Sequence, residues 1–516
     1  MDSNLMKILI GMGIYALFII AVALMFLKRS NSNAESFFLG KRGLGPWVSA
    51  LSAEASDMSG WLLMGLPGLA YWLGIGEAFW TALGLALGTW LNWKFVARRL
   101  RFYTETANNS FTLPTFFSNR FHDKKHILLI ISALMIIIFF SVYVGAQFVT
   151  FGKLFHYLFG KPEYYSLIII CGAALVFFYT LLGGFLGESF TDFVQGLLMI
   201  GAIVLVFAFG INSSGGIDAI NANLRNFPRF LDIFGSASPI EGQAAAFGAG
   251  NDYTVINIIS CLAWGLGYFG MPQVLLRFMA IKSPVRLPKA RIIAVSWCII
   301  SLIAAVCIGL IGRASSPGLY TSAASAELIF IDMACSFFPP IIAGLVLSGI
   351  LGASMSSADS YMLITSSSVA NDLLKNSIKK DLSEKSVLWM ARVTMLIVTF
   401  FGLFVALNGS DSIFKIVSYS WAGLGACFGP LILFSLFWKR TTLSGAVAGM
   451  ISGGVTVVLW KHVISKQAAI LNVYELLPAF IISCILIVVV SLVSPKPSKE
   501  IEAEFEKSQK LCGAKR

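Results

Sequence analysis

The chain has 516 residues, of which 57% are hydrophobic and only 12% charged, about half the charged fraction of a soluble domain. Its many separate apolar runs of about 20 residues exclude a single soluble core, and their unbroken apolarity excludes an outer-membrane barrel of short alternating strands. The formal charge of +12 is not gathered in one basic, aromatic-interleaved domain, so the expected surroundings are a lipid bilayer and not nucleic acid.

The first run, Ile8 to Leu27, has no basic leader and no small-residue cleavage pattern, and it ends on Lys28-Arg29. It reads as a retained helix and not as a signal peptide. From there the pattern predicts an all-α polytopic membrane protein of about thirteen transmembrane helices. The expected spans are 8–27, 48–71, 76–93, 127–151, 165–182, 191–212, 253–276, 292–312, 338–372, 388–407, 414–438, 443–461 and 472–494.

Basic residues set the expected orientation. With the N-terminus outside, the inner segments hold Lys28, Arg29, Lys41 and Arg42, then the cluster from Lys94 to Lys125, then Arg277 to Arg291. They go on with Lys375, Lys379, Lys380, Lys385 and Arg392, with Lys439 and Arg440, and with the basic residues of the tail. Most of the 38 Lys and Arg then lie inside, which predicts N-out, C-in in the inner (cytoplasmic) membrane. Residues 213–252 read as a Gly-, Ser-, Ala- and Asn-rich external loop, and 313–337 as a second one with a short surface helix. Residues 495–516 read as a solvated cytoplasmic tail with no room for a kinase or ATPase module.

The eight cysteines show no CxxC pairing, and most lie in apolar runs, where small buried fillers are the expected role. The four histidines fall at loops or span ends and form no ligand pattern.

Chemistry is expected where apolarity breaks. The second span contains Ser52-Ala-Glu54-Ala-Ser-Asp57-Met-Ser-Gly60-Trp61, then Gly65 and Pro67-Gly68. A mid-bilayer carboxylate costs about 2.5–3.5 kcal/mol on insertion scales, so it marks function by default. Small and hydroxyl residues beside it let the helix unwind and free backbone groups toward a buried site. Tight helix packing accounts for Ser52, Ala53 and Gly60 but not for Asp57 or Glu54.

The seventh span breaks at Trp264-Gly-Leu-Gly-Tyr268-Phe-Gly-Met-Pro272, where glycines and a proline disfavour regular helix. Spans two to six and seven to eleven then form two units of odd number, each opening on a broken helix, the pattern of inverted repeats around a midplane site. These are residues 48–212 and 253–438. They are preceded by an extra helix and loop at 1–47 and followed by two helices at 439–494 and the tail. Trp264 and Tyr268, four apart, read as core packing or as the wall of a substrate site.

The ninth span carries Ala353-Ser-Met-Ser356-Ser357-Ala-Asp359-Ser360. Its oxygens suit a hard cation such as Na⁺, although serine clusters also glue membrane helices together. Asp192 opens the sixth span and reads equally as a functional group or as a helix-dipole charge.

The segments at 56–68 and 264–270, with Thr-Leu-Pro at 112–114, Gly-Gly-Phe-Leu at 183–186 and Ser-Tyr-Ser-Trp-Ala-Gly at 418–423, resemble the sodium/solute symporter family, in particular its bacterial proline branch. The resemblance covers most of the chain. It implies a leucine-transporter-like core in which the carbonyls of Ala55, Met58 and Ala353 and the hydroxyls of Ser356 and Ser357 hold Na⁺, with Asp57 nearby. It implies substrate walls from Ser59, Gly60, Tyr143, Trp264, Tyr268 and Pro272, and in some members a second sodium near Asp192, Ser356 and Ser360.

This chain departs from the proline branch at Ser357, where the branch has threonine, at Glu54, where it has a small residue, and at Asp359. The expected function is sodium-coupled import of proline by alternating access, or of another small amino acid, sugar or carboxylate. No enzymatic step and no organic cofactor is expected. A sensor would need an attached signalling domain, and a channel a continuous polar pore.

Overall fold

The computed structural model describes residues 3–30, 34–243, 245–378, 381–408, 412–468 and 471–514. Lys379, Lys380, Lys515 and Arg516, counted above in the charge pattern, lie outside them. The chain runs through α1 (Ser3–Ser30), the short α2 (Ala34–Leu39), α3 (Pro46–Gly60), α4 (Leu66–Leu73), α5 (Ile75–Leu91), α6 (Ala97–Thr106), α7 (Leu113–Arg120) and α8 (Ile127–Phe159). There follow α9 (Tyr165–Ser213), α10 (Gly216–Leu224), α11 (Val255–Leu262), α12 (Pro272–Ala280), α13 (Leu287–Ser315), α14 (Ala323–Ala326), α15 (Ile329–Phe337) and α16 (Pro340–Ser367). The last are α17 (Glu384–Asn408), α18 (Ile413–Phe437), α19 (Leu443–His462), α20 (Leu476–Val493) and α21 (Lys499–Ala514). A single two-residue strand pair, Gly235–Ser236 with Asn251–Asp252, stands among the described residues.

Helical sequence lies at every expected span, but not always as one regular helix. Nine helices among the described residues are long and apolar enough to cross a membrane, or ten if the pair around Gly270, bent by 42°, counts as one. The shortfall has local causes. In α3, Ser59 has φ 53° and a π turn follows at Trp61–Gly65; Pro67, which has no N–H to continue the ladder, lies just beyond it. Val255 to Ala280 is broken by a 3-10 stretch at Ala263–Phe269 and an extended Met271. The spans expected at 165–182 and 191–212 form one long helix, α9, interrupted at Gly184 with φ 51°.

Three glycines let two backbone segments meet. A Cβ on Gly265 would lie 2.1 Å from the carbonyl oxygen of Gly84, and one on Gly88 2.3 Å from that of Gly265. The 3-10 stretch therefore lies directly on α5.

Two expectations need correction. The segment after Val493 is not a solvated tail, because α21 buries Ile501, Phe505 and Ser508, the i, i+4, i+7 stripe of a helix packed on one face. Four glutamates between positions 500 and 506 mask that stripe in the sequence. The cysteines are not uniformly buried either: Cys298 and Cys427 are, whereas Cys171 is exposed and the others are intermediate.

Candidate functional site

Both broken segments meet at the middle of the bundle. At the first break the hydroxyl of Ser59 accepts the N–H of Trp61 at 3.2 Å, and the N–H of Gly60 reaches Gln147 Oε1 only at 3.4 Å. The Gly60 N–H is thus met by a long side-chain bond, while that of Trp61 also reaches the Met58 and Ser59 carbonyls. At the second break the Trp421 indole donates to the Trp264 carbonyl at 2.9 Å, and Asn92 donates to that of Tyr268 at 2.8 Å.

Between the breaks lies a cleft lined by Asp57, Met58, Trp61, Leu85, Tyr143, Trp264, Tyr268, Val417 and Trp421. Its walls are aromatic. Trp264 stacks on Trp61 with centroids 5.5 Å apart and on Tyr474 at 5.0 Å, and Tyr268 meets Trp421 edge-on at 5.2 Å. Only about 10 Å³ of space remains inside, room for about one water, so the walls are drawn together. Asp57 supplies the charge, and its Oδ1 accepts from Gln273 at 3.1 Å.

Beside the cleft, α3 faces α16. Ser356 Oγ lies 2.9 Å from the Ala55 carbonyl oxygen and 3.2 Å from that of Ala353. Ser357 Oγ lies 3.0 Å from the carbonyl of Ser56. Three of the expected sodium ligands thus share one oxygen-lined corner. Ser357 reaches the neighbouring carbonyl, and Met58 lines the cleft. Of the expected substrate walls, Tyr143, Trp264 and Tyr268 line the cleft, while Ser59, Gly60 and Pro272 are buried at the breaks.

A second polar cluster occupies the layer next to this corner. Arg277, fully buried, donates to Ser52 Oγ at 3.0 Å, to Asp192 Oδ2 at 3.0 Å, to Ser360 Oγ at 2.8 Å and to Glu188. Ser52 in turn donates a hydrogen bond to Asp192 at 2.8 Å, and Ser360 one to Glu188 at 2.5 Å. Each hydroxyl therefore accepts from the cation and donates to a carboxylate. Asp359 is buried with no hydrogen-bond partner for either oxygen. No group of three or more His, Cys, Asp or Glu at metal-binding spacing occurs among the described residues.

Both ends of the cleft are closed. At one, Glu327 pairs with Lys153 at 2.5 Å and accepts the N–H groups of Ile413 and Phe414, each at 3.0 Å, at the start of α18. The Phe414 ring lies 5.2 Å from Trp264, so this cap lies over the aromatic wall. At the other, Arg42 donates to the carbonyls of Met279 at 2.6 Å and Ser110 at 2.8 Å, and the Leu44 N–H to that of Ala280 at 3.2 Å.

Sequence reasoning missed Trp61, Phe414, Trp421, Gln273, Glu188 and Arg277. Trp421 lies inside the 418–423 motif, and Arg277 is a cation at the end of a broken span. Those were the available signals.

The sequence profile of the sodium:solute symporter family matches residues 37–453. Sodium/proline symporters of Staphylococcus aureus strains USA300 and NCTC 8325 are 39% identical to the chain over 512 residues, 98% of this chain and 96% of theirs. Among solved structures, a Na⁺-coupled sialic acid symporter in a substrate-bound outward-open state superposes with a TM-score of 0.77 at 18% identity, covering 96% of this chain and 99% of that one. A nucleobase-cation-symport-1 family transporter in a closed conformation gives 0.51 at 13% identity, covering 92% and 98%. These two share the fold. With a family profile spanning most of its length, relatives similar over nearly all of it and two broken helices around an oxygen-lined corner, the chain belongs to the sodium:solute symporter family.

Proposed function

We propose that this chain is a sodium-coupled symporter that imports proline across the cytoplasmic membrane by alternating access. The observation that carries the reading is the juxtaposition of an aromatic cleft with the oxygens of Ala55, Ala353 and Ser356 at the break in α3. Aromatic faces suit an apolar pyrrolidine ring, and the loosely held N–H of Gly60 suits a carboxylate. Na⁺ takes the carbonyls of Ala55, Met58 and Ala353 and the hydroxyls of Ser356 and Ser357, with Asp57 supplying nearby negative charge. A second Na⁺ site draws on Asp192, Ser356 and Ser360, beside a cluster with three carboxylates and one guanidinium.

Because α3 contributes to both sites, occupancy of one stabilises the geometry the other needs. Each ligand then raises the affinity for its partner by the same factor. The chain crosses the membrane thirteen times, N-out and C-in, with inverted repeats at 48–212 and 253–438. The test is uptake of radiolabelled proline by proteoliposomes under Na⁺, Li⁺ or H⁺ gradients, with amino acids, sugars and carboxylates as competitors. Uptake that ignores the Na⁺ gradient, or prefers a competitor, overturns the reading.

A further inference from the structure

The C-terminal helix α21 spans two parts of the bundle. Its Phe505 ring lies 6.1 Å from that of Tyr103 on α6 and 5.3 Å from the guanidinium carbon of Arg120 on α7. Arg120 is fully buried, and neither of its terminal nitrogens has a hydrogen-bond partner. It is held by the faces of Tyr103, Phe121 and Phe505 at 5.2, 5.0 and 5.3 Å, and by one bond of 3.2 Å to the Ser435 carbonyl of α18. Phe505 thus completes an aromatic cage around a cation that makes no salt bridge among the described residues.

Farther along, Gln509 accepts from Arg99 of α6 and donates to the Leu436 carbonyl of α18 at 2.9 Å. Glu504 reaches His122 at 3.2 Å, and Glu506 reaches Lys439 at 3.5 Å. One short helix therefore ties α6 and α7 to the end of α18 through an aromatic plug and surface ion pairs. Such pairs are individually weak, so the attachment is releasable.

We propose that α21 is a strap that holds this end of the bundle closed and must loosen on each transport cycle, setting the rate of release there. Opening the cleft at that end has to part elements that close it, and Arg42 bonds both Thr104 of α6 and the carbonyl of Ser110 in the loop that joins α6 to α7. A helix clamped across them to α18 resists that motion.

The full-length protein in proteoliposomes tests this. Phe505→Ala is expected to raise the maximal rate of Na⁺-driven proline uptake two- to tenfold with an unchanged half-saturating proline concentration. A rate equal to or below wild type, with an unchanged melting temperature, overturns the proposal. If Phe505→Ala lowers the melting temperature, a second arm decides. Lys439→Cys with Glu506→Cys, in a Cys512→Ser background, is joined by a short reducible thiol cross-linker. Cross-linking is expected to arrest uptake and reduction to restore it, and full uptake by cross-linked protein overturns the strap. Uptake by untreated wild type in the same vesicles reports separately on the substrate reading.

Discussion

Gln273 donates to Asp57 at 3.1 Å across the two broken helices, with both residues buried. A neutral donor stabilises the carboxylate without cancelling its charge, which leaves Asp57 able to attract a cation. Asp57→Asn removes that attraction together with the insertion cost of a charge. It is expected to leave expression intact and to raise the half-saturating Na⁺ concentration for uptake about tenfold or more, about 1.4 kcal/mol per factor of ten. An unchanged Na⁺ dependence removes Asp57 from coupling.

The aromatic wall separates substrate contact from packing. Trp264→Ala keeps the backbone carbonyl that Trp421 holds but deletes the stacked ring. Proline affinity is expected to fall by about 5- to 150-fold, equivalent to about 1–3 kcal/mol, while Na⁺ binding without proline changes less. Tyr268→Phe is the milder control, since it keeps the ring that meets Trp421 edge-on and removes only the hydroxyl. Calorimetry on purified protein measures both constants; a lower melting temperature with retained proline affinity makes the ring a packing element.

Glu327 caps the start of α18 and pairs with Lys153. Glu327→Gln weakens hydrogen bonds to a charged acceptor, each worth about 1.5–3 kcal/mol. The closed state is expected to open sooner, so bound radiolabelled proline leaves faster after rapid dilution, at least threefold. An unaltered off-rate means that this cap does not retain substrate.

Arg277 offsets Glu188 and Asp192 where none of the three meets water. Removing one partner of such a cluster destabilises by about 3–5 kcal/mol, so Arg277→Met is expected to lower the melting temperature sharply. Adding Glu188→Met to it removes one stranded charge and is expected to recover part of the loss. Additive losses in the double-mutant cycle exclude the coupling drawn from these contacts.

The features legible in the sequence were those that break a pattern. Asp57 and the Trp264–Pro272 segment stood out because charge, glycine and proline interrupt apolar runs, and the structure brings Asp57, Trp264 and Tyr268 to one cleft. Phe414 and Trp421 did not, because an aromatic residue in an unbroken apolar helix carries no mark of which neighbour it will face. Asp192 read equally as a functional group or a dipole charge, since its partners Ser52 and Arg277 come from distant helices. The stripe of α21 repeats too few times to rise above its charges. The breaks in the second and seventh spans were legible from their small residues, glycines and prolines, whereas the joining of two expected spans into α9 across Gly184 was not.

The bare backbone contact of Gly84, Gly88 and Gly265 constrains how the protein changes shape. Side chains between two helices act as bearings, sliding from one rotamer to another as the helices shift. At these three positions there are none, since each missing Cβ would fall within 2.1–2.6 Å of a carbonyl oxygen. The 3-10 stretch and α5 are keyed together, so whatever carries Trp264 and Tyr268 away from a departing solute carries α5 with it. The unit of motion at this site is thus a pair of elements, and a single methyl group at any of the three positions would unseat it.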